Sequence, residues 1–155
     1  MSIRNDVIQG IVDTMAAGLA DGTDSFGAFI KKVTPMNQNL FTTPTFDLPA
    51  VIVTDTGGEE ITARGADSTA YIALIECRCI VSETTIEQTI AKLNDVSGAV
   101  KNFVESTQTW HARCLHVSCS GVVGFRVDDN ILGYAGAGES TLTLSALYYR
   151  NRGES

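Results

Sequence analysis

Apolar residues recur at helical spacing in two segments of the chain. In the first, residues 3–19, every fourth residue from Ile3 to Leu19 is apolar, which predicts an amphipathic helix. The second extends from residue 86 to residue 104, and Thr84 followed by Glu87 predicts a capping box at its start. The face that we expect this second helix to bury comprises Ile86, Ile90, Leu93, Val96, Val100 and Phe103.

Alternation of side chains with a period of two predicts strands. The clearest is residues 69–82 (TAYIALIECRCIVS), which is apolar on both faces toward one end, as expected of a central strand covered by a helix or a neighbouring subunit. We also predict strands at 26–34, at 50–55 directly after Pro49, and in the segments RCLHVSCSGVV and STLTLSALYY near the end of the chain.

The order of elements is helix, strands, helix, strands, without a repeated βαβ unit. This order predicts an α+β fold with a mainly antiparallel sheet flanked by two helices, and 155 residues fit a single domain. The proline-containing segment 35–49 is predicted to be an extended loop. Turn-forming residues and charges predict further mobile loops at 56–68, which is alternatively a ribbon tip, and at 126–140.

The charge balance argues against a protein that holds nucleic acid by attraction. The chain has 18 acidic and 11 basic residues, a net charge of -7, whereas phosphate contacts require a basic face. Its hydrophobic runs are too short to predict a transmembrane span. The first residues, MSIRNDVIQG, do not have the pattern of a secretory signal, so we expect synthesis and residence in the cytoplasm.

The glycine-rich stretch GYAGAGE, residues 133–139, raises the question of a phosphate-binding loop. Such a loop precedes a helix N-terminus, where free N–H groups face the anion. Here the following residues alternate as a strand does, and the sequence GK[ST] is absent. We therefore interpret the stretch as a flexible connector, and we expect no bound nucleotide or other cofactor.

Cysteines and carboxylates raise one alternative, an enzymatic function. Cys77 and Cys79 share one strand face, and Cys114 and His116 share another, so paired strands would assemble a metal or thiol site of a small cytoplasmic enzyme. Cysteines in the middle of strands are more typical of buried reduced thiols than of zinc ligands. Glu59 and Glu60 have the pattern of a solvated loop tip. Since no nucleophile–base pair is recognisable, we expect no metal and no enzymatic activity.

The last third of the chain resembles a known family. The segment DDNILGYAGAGESTLTLSALYYRNR, residues 128–152, a loop leading into an alternating strand, resembles the last part of tail terminator proteins from long-tailed bacteriophages. Three earlier segments follow the same order of elements, namely FDLPAVIVTDTGGEE, YIALIECRCIVSET and TIEQTIAKLNDVSGAV. The resemblance therefore extends over nearly the whole chain.

The resemblance implies a structural role in a virion that is assembled in the host cytoplasm. Tail terminators form a ring, usually of six copies, on the head-proximal end of the tail tube, where they stop polymerisation and dock the head connector. The implied partners are other copies, the tail tube protein and the connector, while DNA passes through the lumen without specific binding and no membrane is involved. A different connector protein or a tail tube subunit remains an alternative.

Tyrosine and arginine near the end of the chain suggest where assembly contacts lie, because both are enriched at interface hot spots. Opposite charges in the preceding loop could pair with a partner. The candidate interface residues are Arg126, Asp128, Asp129, Tyr134, Tyr149, Arg150 and Arg152.

Overall fold

In the part of the chain that the structure describes, five strands form one sheet, and three helices accompany it. The computed structural model describes residues 2–19, 25–35, 48–131 and 134–154. The elements in chain order are α1 (Ile3–Leu19), α2 (Ser25–Phe29), β1 (Lys32–Pro35), β2 (Ala50–Arg64), β3 (Ser68–Ser82), α3 (Ile86–Ser106), β4 (Cys114–Ile131) and β5 (Tyr134–Asn151). The strand order is β1-β2-β3-β5-β4. Only β1 and β2 pair in parallel, so the predicted α+β fold is confirmed, with α2 as an additional short helix.

β3 is the middle strand of the sheet, as its apolar alternation predicted. The face with Ala73, Ile75 and Cys77 is fully buried and belongs to the same hydrophobic cluster as the inward residues of the helices. On the opposite face Ile72 and Leu74 are only half-buried. The main core therefore lies between one face of the sheet and the helices.

α1 has the bounds that its periodicity predicted. Its inward stripe, which includes Val7, Ile11 and Met15, is inaccessible to solvent. Ser2 precedes the helix, and its hydroxyl accepts a hydrogen bond from the backbone N–H of Asn5 at 3.2 Å. This contact satisfies one of the N–H groups that a helix start leaves unpaired.

α3 differs from its predicted form in its cap and in its buried face. The capping residue is Thr85, not Thr84, and its hydroxyl accepts from the backbone N–H of Gln88 at 3.2 Å. Ile86 is 65% exposed and Ile90 is 37% exposed, so their predicted burial was wrong. The buried stripe is instead Thr89, Leu93, Val96, Ser97, Ala99, Val100 and Val104.

Contacts with β5 explain this rotation of α3. Ser97 and Ser140 form a buried hydroxyl–hydroxyl hydrogen bond of 2.6 Å. At Gly138 a β-carbon would overlap the Thr89 methyl group and lie 2.7 Å from Leu93 Cδ1. The helix approaches the strand closely along Thr89, Leu93 and Ser97, and this orientation turns Ile86 and Ile90 outward. Gly138 in the glycine-rich stretch is therefore a packing residue.

The strand predicted at 26–34 was wrong for residues 26–31, whereas residues 32–34 belong to β1. The segment forms α2 and then β1, separated by two residues. The backbone N–H of Ile30 donates to the carbonyl of Phe26 at 3.1 Å, the spacing of a helical turn. Phe26 and Ile30 are both buried, and the Phe26 ring stacks on Phe103 of α3 with centroids 4.3 Å apart. Burial at a spacing of four residues favours the helix here.

Both predicted loops are largely strand. Residues 56–64 continue β2, and only 65–67 connect it to β3, which agrees with the ribbon-tip alternative. Residues 126–131 belong to β4 and 134–140 to β5, so the predicted connector was wrong there as well. Residues 132–133, and 36–47 of the predicted extended loop, lie outside the described residues. The glycines and charged residues of these segments favoured loops in the sequence. In the structure β2 pairs with β3 and β4 pairs with β5 along these segments, and this pairing makes them strands.

Leu93 tests the packing of α3 on the sheet. Leu93→Ala should lower the free energy of unfolding by about 2–5 kcal/mol, because the side chain is fully buried. Ile86→Ala, on the exposed face of the same helix, should stay within about 0.5 kcal/mol of the wild type. Denaturant unfolding measures both. Equal losses would show that the helix has another rotation.

Gly138 tests the close approach of α3 to β5. Gly138→Ala should destabilise the chain by about 1–3 kcal/mol, because its methyl group would overlap Thr89 and Leu93. Gly98 lies inside α3, and no atom of a neighbouring element lies within 4 Å of where its β-carbon would be, so Gly98→Ala should instead stabilise by about 0.4–1 kcal/mol. Thermal melts of the two variants should shift in opposite directions. A neutral Gly138→Ala would contradict the packing role.

Candidate assembly surfaces

The candidate interface residues fall into two sets at opposite ends of β5. Arg126 lies on β4 opposite Glu139 near the start of β5, whereas Tyr149 and Arg150 lie near its end. Arg150 lies eleven positions after Glu139 along the strand, roughly 36 Å away at about 3.3 Å per residue. The seven residues therefore do not form one continuous site within a single chain.

Arg126 belongs to an ion-pair cluster on the sheet face away from the helices. Arg78 donates two hydrogen bonds to the Glu139 carboxylate, both of 2.9 Å, and Arg126 Nη2 lies 3.2 Å from Glu139 Oε2. Burial alone would raise the pKa of Glu139, but the hydrogen bonds and charge of Arg78, with those of Arg126, lower it below its ordinary value. Arg126 is 56% exposed, so its guanidinium remains accessible to a partner.

For three candidates only the backbone is described. Asp128 pairs with Ala137 across the β4–β5 hairpin, and Tyr134 pairs with Ile131 at its tip. Asp129 lies in β4 beside Asp128. The side chains of Asp128, Asp129 and Tyr134 lie outside the described part of the structure, so their interface role stays a prediction.

Arg150 already has partners within its own chain. Its Nη2 donates to Glu59 Oε1 at 3.0 Å, and its guanidinium lies over the Tyr71 ring, 4.0 Å from the centroid. Since the side chain is 25% exposed, part of it faces solvent. Arg150 therefore has a structural role whether or not it also contacts a partner.

The end of the chain folds back against the β2–β3 turn. Arg152 donates its backbone N–H to the Asp67 carbonyl at 2.7 Å, while its side chain is exposed. Arg113 pairs with Glu154 at 2.8 Å and lies over the Tyr149 ring. Residues 65–71 and 150–154 line most of a polar cleft of about 370 Å³ between the two turns. Tyr149 is thus half covered, whereas Arg152 is the accessible cation of this set.

Glu59 is the residue whose role the sequence interpretation missed. Its carboxylate accepts from Arg4 Nη1 at 2.8 Å, from the Tyr148 hydroxyl at 2.5 Å, and from Arg150. Arg4 also donates to both oxygens of Asp55. The network joins the first turn of α1 to β2 and β5. Glu59 is exposed as predicted, but it lies within β2 and its carboxylate is paired, so the predicted loop tip was wrong for it.

A bulge in β2 creates this network. The register with β3 shifts between Asp55 and Glu59, so that Glu59 lies opposite Ala73 on the helix side of the sheet. Gly57 within the bulge has a φ of 79°, a conformation that glycine adopts without strain. A glycine pair inside a strand pattern indicates such a bulge, and this was the available signal.

The network controls the ionisation of its carboxyls. The hydrogen bond from Arg4 lowers the pKa of Asp55. Burial would raise the pKa of Glu59, but the bonds from Tyr148 and Arg4 and the charge of Arg150 lower it overall. Burial and the bond to Glu59 raise the pKa of Tyr148 to about 12. Both carboxylates are therefore ionised, and the tyrosine remains a donor, at neutral pH.

The alternative metal or thiol site is not assembled. Cys77 lies opposite Leu142 of β5, whereas Cys114 lies opposite Tyr148, six residues along the same strand. Cys79 is fully buried, and burial raises its pKa to about 12. His116 is exposed. Within the described ranges, no group of three or more potential ligands is placed to hold a metal ion.

No helix in the described part of the chain is long and apolar enough to cross a membrane.

Comparison with known proteins gives little further guidance. No protein-family model and no curated protein matches the chain. Among solved structures the chain is similar to one from the "Virion of native gene transfer agent (GTA) particle", with a TM-score of 0.49 and 15% identity over 96% of each chain. A likeness of this size establishes neither a shared fold nor a shared role.

The Glu59 network predicts a loss of stability in acid. Because the pKa of Glu59 is lowered on folding, the unfolded chain binds a proton at this residue at a higher pH than the folded chain does. The contribution of Glu59 to the free energy of unfolding therefore begins to fall below about pH 5 and is lost as pH falls through the folded pKa. Glu59→Gln should be less stable at neutral pH and should lose less stability on acidification.

Urea unfolding between neutral pH and about pH 3 measures this slope. Glu60→Gln, an exposed neighbour, should keep the wild-type slope. If Glu59→Gln kept the wild-type slope too, the network would not contribute to acid sensitivity.

Proposed function

We propose that this chain is a structural virion protein of the tail terminator type. In this role, copies of the chain form a ring on the head-proximal end of a phage tail tube, stop its polymerisation and provide the docking surface for the head connector. The protein acts through its surfaces, without enzymatic turnover or a cofactor.

The β4–β5 hairpin is the observation on which the proposal depends most. The segment that resembles the tail terminator family, residues 128–152, includes the whole of β5, and β4 pairs with β5 from Cys114 to Ile131. The preceding order also agrees with the resemblance, with an N-terminal helix, a strand that starts after Pro49, a central strand and a second long helix. These features support a common arrangement along nearly the whole chain.

The separation of the two candidate sets suits a protein that joins two different partners. A terminator contacts the tube on one side and the connector on the other. Arg126 and Arg152 are exposed cations near opposite ends of β5. We infer that one set faces the tube and the other faces the connector, with the sheet extending between them.

The net charge of the chain is compatible with a lumen through which DNA passes. Each copy has a net charge of -7, and a ring of such copies would repel the DNA backbone. Repulsion prevents the DNA from adhering during its passage. Specific nucleic-acid binding is therefore no part of the proposed role.

A tube-capping reaction tests the proposal. Purified tube protein should polymerise to shorter tubes when the chain is added, with rings visible at tube ends by negative-stain electron microscopy. Open polymerisation of the chain itself would indicate a tube subunit instead. Unchanged tube lengths and the absence of rings would refute the terminator role.

Charge reversal tests the two sets separately. Arg152→Glu should fold normally because its side chain is exposed, and so should Arg126→Glu, because Arg126 is 56% exposed and Glu139 keeps its two hydrogen bonds from Arg78. Each should impair a different step: capping of tubes or joining to heads. Arg150→Glu is unsuitable, since Arg150 is only 25% exposed and lies between Glu59 and the Tyr71 ring. Lys31→Glu, an exposed site outside both sets, provides the same charge change as a control. Normal capping and joining by both variants would place the contacts elsewhere.

A further inference from the structure

Exposed large apolar side chains are concentrated on β4 and the start of α3. Of the seven found in the described part of the chain, only Ile61 lies elsewhere. We call five of them the β4–α3 patch: Ile86, Ile90, Val122, Val123 and Phe125. Their exposed fractions run from 37% for Ile90 to 65% for Ile86. Clustered apolar exposure of this kind marks interaction surfaces more often than scattered single residues do.

The two elements of the patch are adjacent in space. Phe125 lies opposite Ser140 of β5, and Ser140 bonds to Ser97 of α3. Val127 lies opposite Gly138, which approaches Thr89 of α3. The outward side of α3 and the outer strand β4 therefore lie side by side at the level of the patch.

The two edges of the sheet differ in their protection. β1 has four residues, and it exposes Lys32 and Pro35, a charge and a residue without an N–H donor that both discourage strand pairing. β4 extends over 18 residues, and its segment 114–125 contains neither lysine nor proline. β4 has register shifts between Cys119 and Gly124, and such bulges disrupt the backbone edge, so a partner approaches the exposed side chains of this segment.

The charge around the patch indicates which partner covers it. Residues 86–90 and 115–126 include two charged side chains of opposite sign, Glu87 and Arg126, so this part of the surface is neutral, although the chain as a whole has a net charge of -7. Two copies of the chain have the same negative charge and repel each other over most of their surfaces. They can approach with least repulsion along a neutral apolar surface such as this patch, so we expect the partner to be a second copy of the chain.

We propose that the β4–α3 patch is the contact between neighbouring copies. The inference rests on the proposed ring, since that ring requires self-association, and it names the surface responsible. Burial of Phe125 and its neighbours supplies the attraction, while the neutral surroundings keep the electrostatic cost low.

Sedimentation velocity at low and high salt tests the contact. The wild type should associate as its concentration rises, and more strongly at high salt, because salt screens the repulsion between copies. Phe125→Asp should weaken association by about tenfold or more, as expected for an interface anchor. Ile61→Asp introduces the same charge at a site that is 49% exposed, close to the 47% of Phe125, and should associate like the wild type.

Circular dichroism and melting curves show whether each variant folds. Val123→Asp, at a residue that is 62% exposed, replaces Phe125→Asp if that variant unfolds. Unchanged association of the patch variants, equal weakening by Ile61→Asp, or a wild type that stays monomeric would each overturn the proposal. A monomer that still caps tubes would leave the terminator role intact, whereas association through the patch without capping would refute that role alone.

Discussion

The fold depends on how closely α3 approaches β5. Gly138 permits this approach, because any side chain there would occupy the space of Thr89 and Leu93. The contact fixes the rotation of α3, which buries Leu93, Val96 and Val100 and turns the opposite side of the helix to solvent. The bond between Ser97 and Ser140 satisfies two hydroxyls that burial would otherwise leave unpaired.

A second constraint joins the N-terminal helix to the sheet through charge. Arg4 bridges Asp55 and Glu59, and Glu59 also accepts from Tyr148 and Arg150. One carboxylate with three donor residues ties α1, β2 and β5 together, although these elements are distant in sequence. The bulge at Gly57 makes this possible by bringing Glu59 closer to Asp55 along the strand, since the two residues lie opposite Ala73 and Ile75, only two residues apart on β3. A residue that looks like a surface acid in sequence thereby becomes a structural one.

Local periodicity predicted the elements whose environment is uniform along their length. α1 and β3 have one consistently buried face, and their predicted bounds agree with the structure to within one residue. Prediction failed where contacts with other elements determine the local structure. α2 is too short for a periodic signal, the outer halves of β2 and β4 are strands because their neighbours pair with them, and Ile86 is exposed because Gly138 sets the rotation of α3. Arg150 and its partner Glu59 are 91 residues apart, beyond the reach of any local pattern.

The packing that builds the core leaves two surfaces partly uncovered, the opposite face of the sheet and the outer side of β4. Because the three helices of the described residues contribute to one cluster on one face of the sheet, they leave much of the opposite face and the outer side of β4 uncovered. The opposite face neutralises its charges internally, since Glu139 lies between Arg78 and Arg126. The β4 edge instead exposes Val122, Val123 and Phe125, and in a chain of net charge -7 such a surface gains free energy only when another molecule covers it. The rotation of α3 adds Ile86 and Ile90 to that edge, so one glycine that completes the core also helps to shape the surface available for association.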